Sequence, residues 1–436
     1  MLTPQDTLIH TLGPAPVPSP LRLWRPGLLG MPVFVSERVR VRFLAECDVD
    51  GLPGEEVYFE KAGPREKLFF DPRRTRAAIV TCGGLCPGLN NVIRSAFLEL
   101  HYNYGVPEVL GIRYGYAGLN PAVAQPPLRL TPDLVDTIHE EGGTILGTSR
   151  GPQPVDVMVD YLVAQRIDLL LCVGGDGTLR GARAIAEEVL RRGLKIAVVG
   201  VPKTIDNDVM YVEKTFGMQT AVDKAREVLN AAHSEAKSVY NGVGLVKVMG
   251  RDAGFIAALA TLASQEVNFT LIPEVPLCLD GPKGFLETLR RRLETRHHAV
   301  VVVAEGVGRD LLEGEPTEAD ASGNPRPPDI GPFLKNRILA YLRQLSVPVD
   351  VKYFDPSYLI RSVPANSEDA IFCDALARNA VHAGMAGKTN VVVGVWNGVF
   401  THVPIPLAVS GKKQVDPAGA LWKSVLACTG QPPAWS

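Results

Sequence analysis

Three polar side chains crowd one corner of this sequence. Asp206, Asn207 and Asp208 end the segment PKTIDND (202–208), which follows the apolar run KIAVVGV. Two carboxylates at i and i+2 can divide the work of a reaction, because one can accept a proton from a substrate hydroxyl while the other orients a neighbouring cation or backbone group. Thr204 and the adjacent backbone can hold a phosphoryl group during transfer. The competing interpretation is a cluster of Asx turns that closes a loop.

Two glycine-rich turns point to the same kind of chemistry. The turn GGLCPGLN (83–90) places three glycines in six residues before a predicted helix, whose free N–H groups can bind an anion. The turn GGDGT (174–178) adds Asp176 at a helix start, and magnesium would reconcile this carboxylate with a phosphate because the ion binds both kinds of oxygen. The competing interpretations are a plain strand–helix turn for the first and a helix cap for the second.

Further polar residues follow other apolar runs. Arg150 ends GGTILGTSR and can pair with a terminal phosphate through its planar fork. Met249, Gly250 and Arg251 follow GLVKV, and Glu305 closes VVVVAE, where it can accept hydrogen bonds from sugar hydroxyls. Each charge alone is more typical of a solvated surface, but their shared position after predicted strands indicates one site.

The elements that position these residues alternate between strands and helices. From Arg76 onward, short runs rich in Ile and Val precede helical segments, which predicts doubly wound α/β architecture with parallel strands. Ligands bind such sheets at the carboxyl ends of the strands. The predicted strand–helix pairs are RAAIVTCGG with NNVIRSAFLEL, IDLLLCVGG with RGARAIAEEVLRR, KIAVVGVPK with TAVDKAREVLNAAHSEAK, GVGLVKVMG with DAGFIAALATLAS, and LCLD with GPKGFLETLRRRLETR. We also predict a strand in HAVVVVAEG, a surface loop over 307–329 and a helix in PFLKNRILAYLRQL.

Length and composition narrow the class of protein. A chain of 436 residues exceeds what one hydrophobic core usually spans, so two domains are expected. The net charge of −2 gives no electrostatic reason to bind nucleic acid or an anionic membrane, and no apolar run has the length of a membrane helix. The seven cysteines lack zinc-finger spacing and no signal peptide is evident, so we predict a reduced, cytoplasmic protein. The proline-rich residues 1–75 predict an N-terminal extension with short strands in PVFVS and VRVRF.

Taken in order, the motifs resemble those of the 6-phosphofructokinase family. GGLCPGLN, GGDGT, PKTIDND, MGRDAGF and DPSYLIR cover roughly residues 76–410 and look most like the plant and trypanosomal ATP-dependent subgroup. The resemblance implies two doubly wound α/β domains with mostly parallel sheets and the active site in the cleft between them. It assigns 76–217 and 362–395 to a nucleotide-binding domain, and 218–361 and 396–436 to a sugar-phosphate-binding domain, in a homo-oligomer that is a dimer or a tetramer.

The resemblance also implies an activity and the residues that carry it. The reaction is transfer of a phosphoryl group from ATP, with Mg²⁺, to the 1-hydroxyl of fructose 6-phosphate in glycolysis, and allosteric regulation is usual. Asp206 is the implied general base, with Thr204 beside it and Arg251 steadying the transition state. The implied ATP contacts are Gly84, Arg150, Gly151, Gly175, Asp176, Gly177 and Thr178, with Asp176 at magnesium. The implied sugar-phosphate contacts are Thr204, Ile205, Asp206, Met249, Gly250, Arg251, Glu305, Lys352, Tyr358, Leu359, Ile360 and Arg361.

The sequence departs from the family pattern at two phosphate-binding positions. Gly242 stands seven residues before Met249, where short bacterial members carry an arginine. Lys352 stands six residues before Tyr358, where a second arginine is usual, and Tyr358 replaces a usual histidine. Lys352 can still supply a point charge, whereas Gly242 cannot. Because a neighbouring subunit donates these arginines in the family, donation across subunits is put in doubt.

Two positions in the sequence bear on the identity of the phosphoryl donor, and they indicate different donors. Pyrophosphate-dependent relatives carry Asp in place of Gly177, and that side chain fills space and adds negative charge where the ATP α-phosphate would lie. They also carry Lys in place of glycine at the position of Lys203. We give Gly177 more weight and predict an ATP enzyme, with the pyrophosphate-dependent phosphotransferase as the alternative. An enzyme related to NAD kinases or lipid kinases would share only GGDGT, and a catalytically silent regulatory subunit would be expected to lack the carboxylates.

Overall fold

The computed structural model describes residues 2–21, 34–46, 56–312 and 329–435. Cys47 and most of the loop predicted over 307–329 lie outside the described residues. The strands are β1 His10–Thr11, β2 Val17–Pro18, β3 Arg40–Arg42, β4 Tyr58–Lys61, β5 Lys67–Leu68, β6 Arg76–Thr81, β7 Glu108–Ile112, β8 Leu128–Arg129, β9 Leu169–Gly174, β10 Ala197–Pro202, β11 Gly242–Val248, β12 Phe269–Leu271, β13 His298–Ala304, β14 Asp350–Phe354, β15 Lys388–Thr389, β16 Val391–Trp396 and β17 Val399–Pro404. The helices are α1 Leu89–Leu98, α2 Pro132–Val135, α3 Val155–Ala164, α4 Asp176–Arg191, α5 Met218–Lys237, α6 Phe255–Ser264, α7 Phe285–Arg296, α8 Ile330–Gln344, α9 Ser367–Met385, α10 Ile405–Ala408 and α11 Ala420–Thr429.

The chain divides into two compact units. Unit 1 comprises Met1–Thr204, Val209–Gly217 and Val363–Gly411, and unit 2 comprises Ile205–Asp208, Met218–Ser362 and Lys412–Ser436. The predicted domain bounds differ from these units at 205–208, at 362 and at 396–411. The last range groups with unit 1 because β17 pairs antiparallel with β16 along six residues. The described part of the N-terminal extension also belongs to unit 1.

Unit 1 is built on a nine-stranded mixed sheet in the order β3-β4-β17-β16-β10-β9-β6-β7-β8. Its five central strands, from β16 to β7, run parallel. Successive side chains of a strand point to opposite faces. On one face Ala78 and Val80 share a core with buried residues of α3 and α4, and on the other Leu169 packs against Gly384 of α9. The sheet is therefore covered on both faces, as the continuous apolar runs predicted.

The N-terminal extension enlarges this sheet. β4 pairs antiparallel with β17, and β3 pairs with β4, so the strand predicted in VRVRF is confirmed. The described part of PVFVS, residues 34–36, forms no strand; Val35 instead donates its backbone N–H to Pro64 O. Two carboxylates of the extension, Glu37 and Glu60, bind the buried Lys388 ammonium of β15 at 2.8 and 3.1 Å. The described part of the extension is thus packed as part of unit 1.

Unit 2 holds a four-stranded, all-parallel sheet in the order β12-β13-β11-β14. Its strands are flanked by α5, α6, α7 and α8. The strand predicted over LCLD is wrong, because the edge strand is β12 and residues 277–280 are irregular. The carbonyls of Cys278 and Leu279 accept instead from Phe285 N and Leu286 N at the start of α7, so they are not available to a sheet ladder. With this exception, the prediction of an α/β fold with mostly parallel sheets is confirmed.

Among the described residues, no helix is both long enough and apolar enough to cross a membrane.

Candidate active site

The first glycine-rich turn of unit 1 follows β6 and is held in place by two other chain segments. Gly83 has a φ of +84°, a region that favours glycine, and its N–H donates to Ser149 O at 3.1 Å. Thr148 Oγ1 donates to Gly83 O at 2.6 Å, and Lys203 Nζ donates to Gly84 O at 2.7 Å. Arg150 and Gly151 therefore lie directly beside this turn, as a shared phosphate site requires.

The second turn of unit 1 links β9 to α4. Gly175 is the N-cap of the helix, so the first free N–H groups of α4 face this turn. A Cβ at Gly174 would lie 2.1 Å from Thr178 Oγ1, which explains why only glycine fits there. At Gly177 a Cβ would meet no described atom within 4 Å. A side chain at this position would therefore enter open space, and the contact of Gly177 with a nucleotide stays a prediction.

Asp176 is the carboxylate predicted to share magnesium with phosphate. Its Oδ2 accepts from Arg180 Nε at 2.9 Å, and its side chain is 24% exposed. No three His, Cys, Asp or Glu side chains form a metal-binding group anywhere in the described part of the chain. Magnesium bound to nucleotide needs only one or two protein carboxylates, since water and phosphate oxygens complete its shell. The single carboxylate therefore fits this ion.

The segment PKTIDND (202–208) crosses from unit 1 to unit 2. Thr204 belongs to unit 1, where its carbonyl accepts from Thr215 Oγ1 at 2.7 Å. Asn207 adopts a φ of +54°, which turns the chain sharply between the two carboxylates. The backbone thus makes a tight turn here, and the catalytic roles of the two acids stay a prediction.

Asp206 is the most perturbed carboxyl group of the segment. Its Oδ1 is fully buried, and burial is the main cause that raises the pKa of Asp206 from 3.8 to about 7. The negative charges of Asp208 and Glu305 raise this pKa further, while the Lys412 ammonium opposes them. A carboxyl group with a pKa near neutrality is suited to take a proton from a hydroxyl.

Lys412 is a site residue that the sequence analysis missed. Its ammonium pairs with Asp208 Oδ2 at 2.5 Å, and the neighbouring Lys413 N donates to Asp208 O at 3.0 Å. Asp208 is 8% exposed, whereas the Lys412 side chain is 34% exposed, so the carboxylate is the shielded member of the pair. The only sequence signal was a lysine pair in SGKKQVD, far along the chain from PKTIDND.

The MGRD turn after β11 lies beside the end of β13. Gly306 N donates to Gly250 O at 3.1 Å, and a Cβ at Gly306 would lie 1.9 Å from Arg251 O. Burial raises the pKa of Glu305, and three cations, Arg251, Lys247 and Arg361, oppose that rise. The structure thus brings together the predicted sugar-binding residues Arg251, Glu305 and Arg361.

The predicted phosphate-binding loop DPSYLIR follows β14. Ile360 is fully buried, whereas Tyr358 and Leu359 are strongly exposed. The Arg361 guanidinium lies 4.8 Å from the centre of the Tyr358 ring, a cation–π contact that orients the arginine. Ile360 therefore anchors the loop, while Tyr358 and Arg361 remain accessible to a ligand.

Lys352 and Gly242 are placed differently from these residues. Lys352 lies opposite Gly244 in the sheet, and its ammonium pairs with Glu235 of α5 at 2.5 Å. Its contact with a sugar phosphate stays a prediction. A Cβ at Gly242 would lie 2.1 Å from Ala236 O, so an arginine cannot replace it without a backbone shift.

Comparison with known proteins agrees with these features. The phosphofructokinase family model matches residues 76–384. The ATP-dependent 6-phosphofructokinase of Borreliella burgdorferi is 49% identical over 407 residues, which cover 92% of this chain and 91% of the relative. The corresponding enzyme of Trypanosoma cruzi is 47% identical over 373 residues, covering 85% of this chain and 76% of the relative.

Solved structures support the fold alone, because their sequence identity is low. A pyrophosphate-dependent phosphofructokinase from Nitrosospira multiformis gives a TM-score of 0.67 at 18% identity, over 83% of this chain and 93% of that chain. Pichia pastoris phosphofructokinase in the T-state gives 0.64 at 21% identity, over 81% of this chain and 37% of that chain. The family match over most of the chain and the identity to its relatives show that this chain belongs to the phosphofructokinase family.

Proposed function

We propose that this chain transfers the terminal phosphoryl group of ATP to the 1-hydroxyl of fructose 6-phosphate, with Asp206 as the general base. The observation that carries the proposal is the Asp206 carboxyl group, whose Oδ1 is buried and whose pKa is raised to about 7 beside Asp208, Glu305 and Lys412. Relatives named ATP-dependent 6-phosphofructokinase at 47–49% identity support the same activity.

Each unit would contribute one substrate's contacts. In unit 1 the turns at Gly84 and at 175–178, with Arg150 and Gly151, would bind the nucleotide phosphates through backbone N–H groups and a guanidinium. In unit 2 Met249–Arg251, Glu305 and the loop 358–361 would bind the sugar phosphate. We accordingly propose unit 1 as the nucleotide-binding domain and unit 2 as the sugar-phosphate-binding domain.

The chain's own groups account for the steps of transfer. Asp206 would take the proton of the attacking hydroxyl, while Thr204 and Ile205 would position it. Arg251 would stabilise charge on the transferring group. Mg²⁺, held by Asp176 together with the nucleotide, would supply charge neutralisation. Phosphoryl transfer depends mainly on such positioning and neutralisation, which this set provides.

The choice of ATP over pyrophosphate rests on the open space at Gly177. Lys203, the opposing signal, is 5% exposed and its ammonium holds the Gly84 carbonyl. Because Lys203 already has a role in holding the turn at Gly84, its presence does not imply that pyrophosphate is the donor. The catalytically silent alternative is disfavoured because Asp176, Asp206 and Asp208 are all retained.

A donor assay tests this proposal directly. Purified protein is given fructose 6-phosphate and magnesium with either ATP or pyrophosphate, and fructose 1,6-bisphosphate is measured. We expect turnover with ATP only. Turnover with pyrophosphate but not with ATP would show that pyrophosphate is the donor. Phosphorylation of NAD or diacylglycerol but not of the sugar would overturn the proposal.

The setting of the enzyme is also part of the proposal. We propose that it works in the cytoplasm as a homo-oligomer under allosteric control. The six cysteines in the described ranges are all free thiols, which supports a reducing compartment. Light scattering at several protein concentrations, with and without substrates, would measure the subunit number.

A further inference from the structure

One lysine lies inside the apolar strand β11. Lys247 is 9% exposed, in a strand whose other members are all buried and none of them charged. A buried ammonium is costly unless opposite charges and hydrogen bonds compensate for lost water. The Lys247 Nζ lies 2.9 Å from Asp329 Oδ2 and 2.8 Å from Asp355 Oδ2, so two carboxylates from different segments meet on it.

Asp355 connects this lysine to the loop DPSYLIR. Its Oδ2 binds Lys247, and its Oδ1 accepts from Ser357 N at 3.1 Å and from Ser357 Oγ. Further along, Leu359 N and Ile360 N both donate to Pro356 O. The loop is therefore fixed at its start by the Lys247–Asp355 pair and at its end by the buried side chain of Ile360.

Asp329 connects the same lysine to helix α8. Its Oδ1 caps the helix by accepting from Gly331 N at 3.0 Å, while its Oδ2 binds Lys247. Helix α8 packs against both β11 and β14. The Lys247 ammonium thus holds two elements in place: the N-terminus of α8, through Asp329, and the loop that follows β14, through Asp355.

We propose that Lys247 is the positioning residue that holds the loop 355–361 in register with the MGR turn for binding of the sugar phosphate, an inference that rests on the proposed function. Lys247 lies near the end of β11, and Met249 directly follows that strand, so one short segment carries both the anchor of the loop and the start of the MGR turn. Without the ammonium, Asp329 and Asp355 would face each other as like charges. The loop start would move away, and Tyr358 and Arg361 would move with it.

The competing interpretation is a buried ion pair that only stabilises unit 2. The two differ in what they predict for each substrate. A positioning role affects the sugar phosphate and leaves the nucleotide contacts of unit 1 unchanged, whereas a purely structural role lowers stability and affects both substrates alike.

Steady-state kinetics and hydrogen exchange on the full chain separate these interpretations. For Lys247→Met we expect the KM for fructose 6-phosphate to rise at least tenfold, with the KM for ATP within twofold of the unsubstituted value. Lys247→Arg keeps the charge and two-carboxylate bonding, and should recover to within about threefold. Asp355→Asn should reproduce the Lys247→Met effect, and the double variant should be no worse than either alone because the two act as one pair. Lys423→Met, an exposed lysine of unit 2, serves as the matched control and should change neither KM.

Hydrogen exchange of the unliganded protein tests the loop independently of any activity. In Lys247→Met the amides of 357–362 should exchange at least tenfold faster, while those of 174–178 should not change. Unchanged exchange in the loop overturns the inference even if the enzyme is active. Faster exchange with an unaltered KM for the sugar phosphate, or a parallel rise in both KM values, overturns it as well. If the unsubstituted protein fails to phosphorylate fructose 6-phosphate with any donor, the proposed function fails, and direct binding of fructose 6-phosphate to the Lys247 variants then decides the inference.

Discussion

Replacing Asp206 by Asn tests two expected effects of the same burial. Burial of the ionised carboxylate is expected to lower the free energy of unfolding. The raised pKa that burial causes is expected to make Asp206 an effective proton acceptor. Burial, then the charge of Asp208, raises the pKa of Asp206 from 3.8 to about 7. The difference of roughly three pH units corresponds to about 4 kcal/mol, at about 1.4 kcal/mol per unit. An acid whose pKa is raised by folding favours the folded state fully below its unfolded pKa, and that contribution is lost as the pH rises toward its folded pKa.

Asparagine has nearly the shape of aspartate and does not ionise. Asp206→Asn should therefore be more stable than the unsubstituted protein at pH 8, and its advantage should grow by roughly 2–3 kcal/mol between pH 5 and pH 8. In thermal unfolding this corresponds to a gain of several degrees in Tm over that range. The same variant should lose at least about a hundredfold in kcat, because the hydroxyl proton has no acceptor. In the unsubstituted enzyme, activity should fall as the pH decreases through about 7, where the carboxyl group becomes protonated.

Tm measured at half-unit pH steps, together with kcat at each pH, checks both effects. Asp133→Asn removes an exposed carboxylate of unit 1 and serves as the control, with no pH-dependent gain in stability and no loss of rate. A stability difference for Asp206→Asn that is the same at pH 5 and pH 8 would refute the assignment of a buried, raised carboxyl group. A kcat within tenfold of the unsubstituted value would refute its role as the base.

Three further predictions concern the donor, the ion and the missed lysine. Gly177→Asp should keep its Tm, because the added side chain enters open space, yet lose at least about a hundredfold in kcat/KM for ATP; normal ATP use would contradict our account of the donor. Asp176→Asn should raise the magnesium concentration for half-maximal rate by roughly tenfold or more at fixed ATP, and an unchanged magnesium titration would remove Asp176 from the ion's shell. Lys412→Met should lower the Tm, since Asp208 loses its partner, and reduce kcat by about tenfold or more; Lys412→Arg, which keeps the charge, should retain most of both. An active, stable Lys412→Met enzyme would show that the Lys412–Asp208 pair is incidental.

Local patterns in the sequence were sufficient for the main elements. The apolar runs that became β6, β9, β10, β11 and β13 are buried on both faces, so a run of Val and Ile is itself the signal. The polar and glycine residues of the candidate site could also be found from the sequence, because they directly follow these recognisable strands. LCLD misled the prediction because two buried leucines in alternation satisfy a strand pattern, while the true edge strand β12 has only three residues.

Contacts between distant parts of the chain were beyond the reach of sequence patterns. Lys412 and Asp208 are separated by 204 positions, and Lys247 and Asp329 by 82, so no local spacing links either pair. Likewise, β3 could be recognised within VRVRF, but its pairing with β4 at the edge of the sheet could not.

The sequence by itself determined the fold class and the order of the turns, and it indicated Asp206 as the candidate base, because these depend on short-range periodicity and on motifs that stay together along the chain. Only the tertiary structure decided that Asp206 Oδ1 is buried, that the pKa of its carboxyl group is near 7, and that Lys412 lies beside Asp206 and Asp208. It also showed that Lys352 pairs with Glu235. Solvent exclusion and charge–charge energy depend on separation in space, and folding alone sets that separation.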